Sequence, residues 1–402
     1  MIKRILIVIS TILVVTIAPL IFYINQEIGL NVVNSICLNA LTILLALFIF
    51  SRFQFFPQIQ PIRYIVPISI SCYSFSTLIL VISRIEYSNK IIIFGFLMLP
   101  LLLLVFNGLA KSKKVSNLYY VPYGETTNLK DTDFFKFKRL DYPFTTGDLS
   151  DGLIVDFRYK SLNPAWEKFL VECVFKKIPI YNYLQIKESI TGQVEASHLV
   201  DNDFGTLEPS KMVFIAKRLI DLIFVILVAP IAVPISLMIA FFVALDSKGG
   251  VLFTQERVGL DGKPFLLFKF RSMRTDDVAC IGADESVRIT RVGKVIRRFR
   301  FDEIPQFLNV LKGDMSLIGP RPETVELVKE YEKKIPFFMY RHTVLPGISG
   351  WAQVMQGYTI GVDEKREKLA HDLYYIKHYS LWLDLFIWYK TIKTVFTGFG
   401  SK

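Results

Sequence analysis

The chain has 402 residues, 52% of them hydrophobic, with a formal net charge of +11 and a mean hydropathy of +0.41. A composition this apolar excludes an ordinary soluble protein and points to a membrane protein with a substantial polar part. The positive charge suits anionic headgroups and phosphorylated substrates; nucleic acid is disfavoured as a partner because bilayer-length apolar segments fill the first quarter of the chain.

The chain begins MIKRILIVISTILVVTIAPLIFYI. The apolar run is long and no small-residue cleavage site follows it cleanly, so it reads as a retained transmembrane helix rather than a signal peptide. Four apolar segments, at residues 5–23, 33–50, 64–83 and 91–110, fit a bilayer core of about 30 Å. Lys3 and Arg4 precede the first, and Lys111, Lys113 and Lys114 follow the fourth. The first loop carries no Lys or Arg, a bias that favours the cytoplasmic side for the N-terminus and for the region that follows residue 110.

Residues 111–208 read as a small α/β module. NLYYVPYG, GLIVDFRY and IPIYNYL have strand character, and NPAWEKFLVECVFKK is an amphipathic helix with Asn163 as its cap and Pro164 in its first turn. The module has no glycine-rich nucleotide loop, so a structural or regulatory role is expected.

Residues 209–246 hold a second membrane element. Its apolar run has Pro230 and Pro234 at the centre, which break or kink a helix. Two forms are open, a kinked span or a re-entrant helix that turns at the prolines and leaves by the same face.

Residues 247–402 are polar and hold the residues that could carry chemistry. FKFRSM puts Lys269 and Arg271 two apart on a strand, facing one side. Arg288, Arg291, Lys294, Arg297, Arg298 and Arg300 form a basic run, and then Asp302 and Glu303 arrive side by side. Pro305 suits the first turn of a helix and Gly313 its end, so the acidic pair sits near a helix N-terminus, where a carboxylate stays ionised and a phosphate can bind. An ionised Asp can attack phosphorus; a neighbouring Glu can hold Mg²⁺ or handle protons. Lys269, Arg271, Arg300 and Arg321, the last fixed between Pro320 and Pro322, could cancel charge on phosphoryl oxygens. The bland alternatives are a capping Asp and a surface arginine. At the C-terminus, residues 380–399 mix Trp382, Phe386, Trp388 and Tyr389 with Lys390 and Lys393, which suits either an interfacial helix or a packed one.

With KRLID, FTQERVGLDGKPFLLFKFRSM, TRVGKVIRRFRFDEIPQFLNVLKGDMSLIGPRPE, YRHTVLPGISGWAQV and KLAHDLYYIKHYSLWLDLFI in order, residues 212–399 resemble the bacterial sugar transferase family. These are monotopic phosphoglycosyl transferases, or polyprenyl glycosylphosphotransferases. The resemblance implies transfer of a sugar 1-phosphate from a UDP-sugar to undecaprenyl phosphate, with loss of UMP and with Mg²⁺. It implies a phosphosugar-aspartyl intermediate and a place at the first membrane step of exopolysaccharide, capsule or O-antigen synthesis. Asp302 then resembles the nucleophile and Glu303 its acidic partner in proton handling or metal placement. Lys269, Arg271 and Arg321 would meet substrate phosphates. Lys217 and Arg218 would meet lipid phosphates or serve as plain membrane anchors. The family's re-entrant helix breaks at a Ser-Pro or similar pair, which here is Ala229-Pro230, without the hydroxyl.

The expected protein is thus a four-helix transmembrane bundle, a small α/β module, and a mainly α catalytic domain anchored by a re-entrant and an interfacial helix. It would lie in a bacterial inner membrane among lipids, facing the cytoplasm, with homo-oligomers left open. The competing expectation is a non-catalytic membrane scaffold or regulator of polysaccharide assembly.

Overall fold

A computed structural model of the chain describes residues 17–23, 28–53, 61–111, 116–132, 135–143, 151–159, 163–195, 210–246, 249–274, 289–356 and 362–397. It divides into two compact units, Met1–Gly192 and Gln193–Lys402.

In the first unit, α1 (Leu30–Phe53), α2 (Ile65–Ser83) and α3 (Asn89–Lys111) pack on one another. All three are long and apolar enough to cross a membrane. Polar side chains bind them together. Thr42 and Ser76 hydroxyls meet at 2.7 Å, and Asn39 accepts from the Tyr73 hydroxyl at 3.1 Å while donating to the Ile91 carbonyl at 2.9 Å. Gly95 makes this approach possible: a Cβ there would lie 2.3 Å from the Tyr73 oxygen. Of the first expected span, 5–23, only its last turns fall among the described residues, as a short 3₁₀ helix at Ala18–Tyr23. Lys3, Arg4, Lys113 and Lys114, which set the expected orientation, lie outside them.

The same unit holds a parallel sheet of β1 (Ser116–Tyr120), β2 (Phe135–Arg139), β3 (Leu153–Val155) and β4 (Ile180–Asn182), in the order β2-β1-β3-β4. Helix α4 (Pro164–Phe175) lays Trp166, Phe169 and Cys173 against Val121, Leu153 and Val155 on one face. Helix α5 (Tyr183–Thr191) packs Tyr183 and Ile186 on Leu118 and Ile154 on the other. The Asn163 side chain caps α4 as expected, accepting from Ala165 N at 3.1 Å. Strand β2 and helix α5 are additions to the sequence reading.

The second unit opens with α6 (Lys211–Asp246), whose helical backbone continues through Pro230 and Pro234. Stretches on both sides of the prolines pack on the same small body. Before them, Val225 joins Leu267, Val310 and Met315. Near the end, Ile239 and Val243 join Phe270 and Ile296. Leu267 and Phe270 lie three positions apart on one strand, about 10 Å, whereas Val225 and Val243 would be about 27 Å apart on a straight helix.

That strand is β6 (Pro264–Phe270), paired antiparallel with β5 (Leu252–Val258). Next come α7 (Arg291–Arg298), a 3₁₀ turn at Phe301–Glu303, α8 (Gln306–Lys312) and β7 (Ser316–Ile318). Helix α9 (Val325–Lys334) and a 3₁₀ turn at Phe338–His342 lead to β8 (Gly347–Ser349), which pairs parallel with β7. Helices α10 (Trp351–Met355), α11 (Val362–Lys377) and α12 (Leu381–Thr397) complete the unit. Helix α12 buries Leu383, Phe386, Ile387 and Tyr389, with Phe386 against Trp351, so it is packed along one face.

Candidate active site

The site is assembled at the junction of α7 and α8. Thr290 caps α7 by accepting from Gly293 N at 2.9 Å, and Asp246, the last residue of α6, accepts from Val292 N at 2.9 Å. Gly293 is needed there, because a Cβ would lie 2.1 Å from the Ser272 carbonyl oxygen. After α7 the chain reverses at Arg300, which has φ 57° and ψ 24°. A non-glycine residue in this left-handed region costs about 1–2 kcal/mol and persists only where its surroundings enforce it. The reversal delivers Asp302 and Glu303 in the 3₁₀ turn before Pro305. Asn309 then fastens α8 to β6, accepting from Phe268 N at 3.1 Å and donating to the Leu266 carbonyl at 2.7 Å. That bond brings the neighbouring Lys269 up to the acidic pair.

Glu303 is buried beneath three cations. Its Oε1 lies 3.0 Å from the Arg321 guanidinium and 3.4 Å from Lys269 Nζ, and its Oε2 lies 3.7 Å from Arg300. Burial pushes its pKa up, but Arg321, Lys269 and Arg300 outweigh burial and hold it down at about 2. Asp302 behaves oppositely. Burial and the Glu303 charge beside it raise its pKa, against weaker opposition from Lys269 and Arg321. Among the described residues Asp302 makes no side-chain hydrogen bond or ion pair. The expectation of a firmly ionised carboxylate at this turn therefore holds for Glu303, while Asp302 shifts the other way. With all groups ionised, Lys269, Arg300 and Arg321 against Asp302 and Glu303 leave a surplus of one positive charge, which favours a diphosphate.

Arg321 is held through its backbone. Its carbonyl accepts from Arg341 at 2.8 Å, and the carbonyl of Pro322 accepts from Arg257 at 3.1 Å. Arg341 also pairs with Asp372 at 2.9 Å and with Glu323 at 3.6 Å. Glu323 takes Lys368 at 2.6 Å and Lys365 at 3.3 Å. Burial raises the pKa of Glu323, but Lys368, Arg341 and Lys365 bring it well below the usual carboxylate range. Sequence reasoning missed this second buried charge cluster. Glu323, Arg341, Lys368 and Asp372 all lie inside stretches singled out for resemblance, but no local pattern shows that they meet.

Three of the residues expected at phosphates have the following surroundings. Arg271 is buried just beyond the last residue of β6 and is not one of the three cations on Glu303. Lys217 is buried and pairs with Asp384 at 2.5 Å, while the Tyr375 hydroxyl donates to the other Asp384 oxygen at 2.7 Å. Arg218 donates to the carbonyls of Val310 and Leu311, in the last turn of α8. Lys217 and Arg218, expected at lipid phosphates or as membrane anchors, thus have protein partners that tie α6 to α12 and α8. A lysine or arginine finds a fixed carboxylate or a helix C-terminus a better partner than a mobile headgroup.

Three cations already take up the Glu303 oxygens, so of the expected metal pair Asp302 is the carboxylate that would hold Mg²⁺, with the remaining oxygens supplied by substrate phosphates and water. Among the described residues no cluster of three His, Cys, Asp or Glu side chains could hold a metal ion.

A carboxylate without a side-chain partner beside three fixed cations, on a chain with membrane-length helices, suits chemistry on phosphorylated substrates. Comparison with known proteins agrees. A family model described as bacterial sugar transferase matches residues 212–398. The UDP-N-acetylgalactosamine-undecaprenyl-phosphate N-acetylgalactosaminephosphotransferase of Aeromonas hydrophila is 40% identical over 354 residues, covering 87% of this chain and 84% of that protein. The UDP-glucose:undecaprenyl-phosphate glucose-1-phosphate transferase of Klebsiella pneumoniae is 40% identical over 235 residues, 57% of this chain and 50% of that one. An exopolysaccharide production protein of Rhizobium leguminosarum bv. phaseoli is 37% identical over 195 residues, 46% of this chain but 98% of its own length. The chain belongs to the bacterial sugar transferase family.

Proposed function

We propose that the protein transfers a sugar 1-phosphate from a UDP-sugar to undecaprenyl phosphate, releasing UMP, at the cytoplasmic face of a bacterial inner membrane. The observation that carries this reading is the opposed environment of the acidic pair. Glu303 is fixed as a carboxylate by three cations, and Asp302 beside it has no side-chain partner among the described residues. In this reading the Asp302 carboxylate attacks the phosphorus that bears the sugar. The bond from that phosphorus to the bridging oxygen breaks, and UMP leaves with the electron pair. The acyl phosphate is then attacked by a phosphate oxygen of the polyprenyl phosphate, which restores the carboxylate. Lys269, Arg300 and Arg321 stabilise charge on the phosphoryl oxygens. Glu303 orders these cations, and its low pKa makes it a weak general base near neutral pH.

Helix α6 is proposed to be re-entrant. Val225 before Pro230 and Val243 after Pro234 pack on β6 positions only three residues apart. That arrangement keeps Asp302 at headgroup depth, where a lipid phosphate and a soluble nucleotide can both reach it. UDP-N-acetylgalactosamine is the first donor to test, since the Aeromonas relative matches along both halves of the chain.

The test uses purified full-length protein with undecaprenyl phosphate and Mg²⁺. UMP should be released from UDP-N-acetylgalactosamine or UDP-glucose, and donor labelled in the sugar should leave label on the wild-type chain. Asp302→Asn should lose both. Normal turnover in Asp302→Asn would sink the proposal.

A further inference from the structure

Helix α7 carries a basic face that the transfer chemistry does not use. Arg291, Lys294, Val295 and Arg298 fall at i, i+3, i+4 and i+7, so they share one side of the helix, and all four are exposed. The opposite side is internal, with Ile296 buried and Val292 beside it against Ile239 and Val243 of α6. No acidic residue lies on α7. Among the described residues the side chains of Arg291 and Lys294 make no ion pair or hydrogen bond, and Arg298 lies over the Phe299 ring at 5.8 Å. Like charges on one face without a counter-ion repel one another, so the face favours an anionic partner. Phe299 and Phe301 follow at its end, both exposed, with ring centres 5.8 Å apart.

The junction with α6 narrows the partner. In the last turns of α6, Phe241, Phe242 and Leu245 are exposed apolar side chains, suited to lipid. That apolar surface ends at Asp246, whose carboxylate accepts from Val292 N in the first turn of α7. The cations of α7 therefore begin where the membrane helix turns polar, which is headgroup level. A soluble anion would match the three cations but gain nothing from exposed Val295, Phe299 and Phe301. An anionic bilayer surface matches both, with phosphates for the cations and the roots of acyl chains for the apolar side chains. We propose that the outward face of α7 docks on the anionic phospholipid headgroups of the bilayer that holds α6. The inference rests on the membrane placement of α6 proposed above and goes beyond the transfer reading, which calls only for the substrate lipid.

A probe at the centre of this face tests it. Val295→Cys is labelled with an environment-sensitive fluorophore, and the parent chain labelled in parallel serves as the blank. The full-length protein is reconstituted in vesicles of phosphatidylcholine alone or of phosphatidylcholine mixed with phosphatidylglycerol. Emission should move to shorter wavelength in the mixed vesicles, and high salt should reverse the move. Arg291→Gln, Lys294→Gln and Arg298→Gln should each lower the ratio of docked to undocked label by about fivefold, the factor for one cation at an anionic surface. If a variant does not fold, the salt reversal with the full set of cations still decides. Equal emission in the two vesicles overturns the proposal, as does a shift that withstands both salt and the substitutions. A shift in neutral vesicles that appears only on adding undecaprenyl phosphate also overturns it, by giving the face to the substrate lipid. The label needs no turnover, so the transfer reading fails separately, through absence of UMP release by wild type.

Discussion

Asp302 and Glu303 share a peptide bond and titrate in opposite directions. Glu303 is held at about 2 by Arg321, Lys269 and Arg300 in spite of its burial, and Asp302 is raised by burial and by the Glu303 charge. Environments that separate two carboxylates in this way commonly mark a division of roles. Here the fixed charge belongs to the residue that gathers the cations, and its neighbour is the carboxylate without a side-chain partner among the described residues.

The acid limb of kcat/KM should therefore lie above the ordinary aspartate pKa of 3.8. Glu303→Gln removes the like charge that raises Asp302, so the limb should move to lower pH even as the maximum rate falls. Lys269→Met removes an opposing cation and should move it to higher pH. The pH profiles of the three proteins decide this; a limb displaced upward in Glu303→Gln contradicts it.

Glu303 also links pH to stability. Its folded pKa lies below its ordinary value of 4.5, so its contribution is complete above about 4.5 and is lost as pH falls toward about 2. The shift corresponds to about 3 kcal/mol. Unfolding followed by tryptophan fluorescence should show destabilisation in that window, and Glu303→Gln should show a smaller pH dependence there.

Arg341→Met should destabilise the catalytic unit by about 3–5 kcal/mol, because Asp372 and Glu323 lose a buried partner. It should also lower kcat, because the carbonyl of Arg321 loses its donor. Arg341→Lys should restore stability better than kcat, since an ammonium cannot span both carboxylates and the carbonyl with a rigid fork. Thermal unfolding and kcat together check this.

If α6 leaves by the face it enters, Met212→Cys and Leu245→Cys should react with an impermeant thiol reagent from the same side of sealed vesicles. Both positions are strongly exposed, at 81% and 70%. Labelling from opposite sides identifies a full span.

Elements with local causes were legible in the sequence. Asn163 and Pro164 start α4, Pro305 and Gly313 bracket α8, and the apolar lengths of α1 to α3 and α6 are composition alone. Strand β2, FKFKR, carries the same alternation that marked FKFRSM as a strand and was overlooked, whereas α5 was hidden because nine residues carry little periodicity. Its signals were the Asn182 cap and Gly192 in a left-handed turn. The acidic pair was legible as chemistry, but its opposed titration was not, since Arg321 lies 18 residues from Glu303. The Lys217–Asp384 pair joins positions 167 apart, and no local rule could have turned Lys217 away from lipid.

That pair limits how the protein can be trimmed. A fragment starting after residue 246 would strand Asp384 and Tyr375, open the pocket filled by Val225, and uncap α7 at Asp246. The hydrophobic helix is thus part of the catalytic fold, and dissecting it away for solubility should yield an aggregate rather than a soluble enzyme.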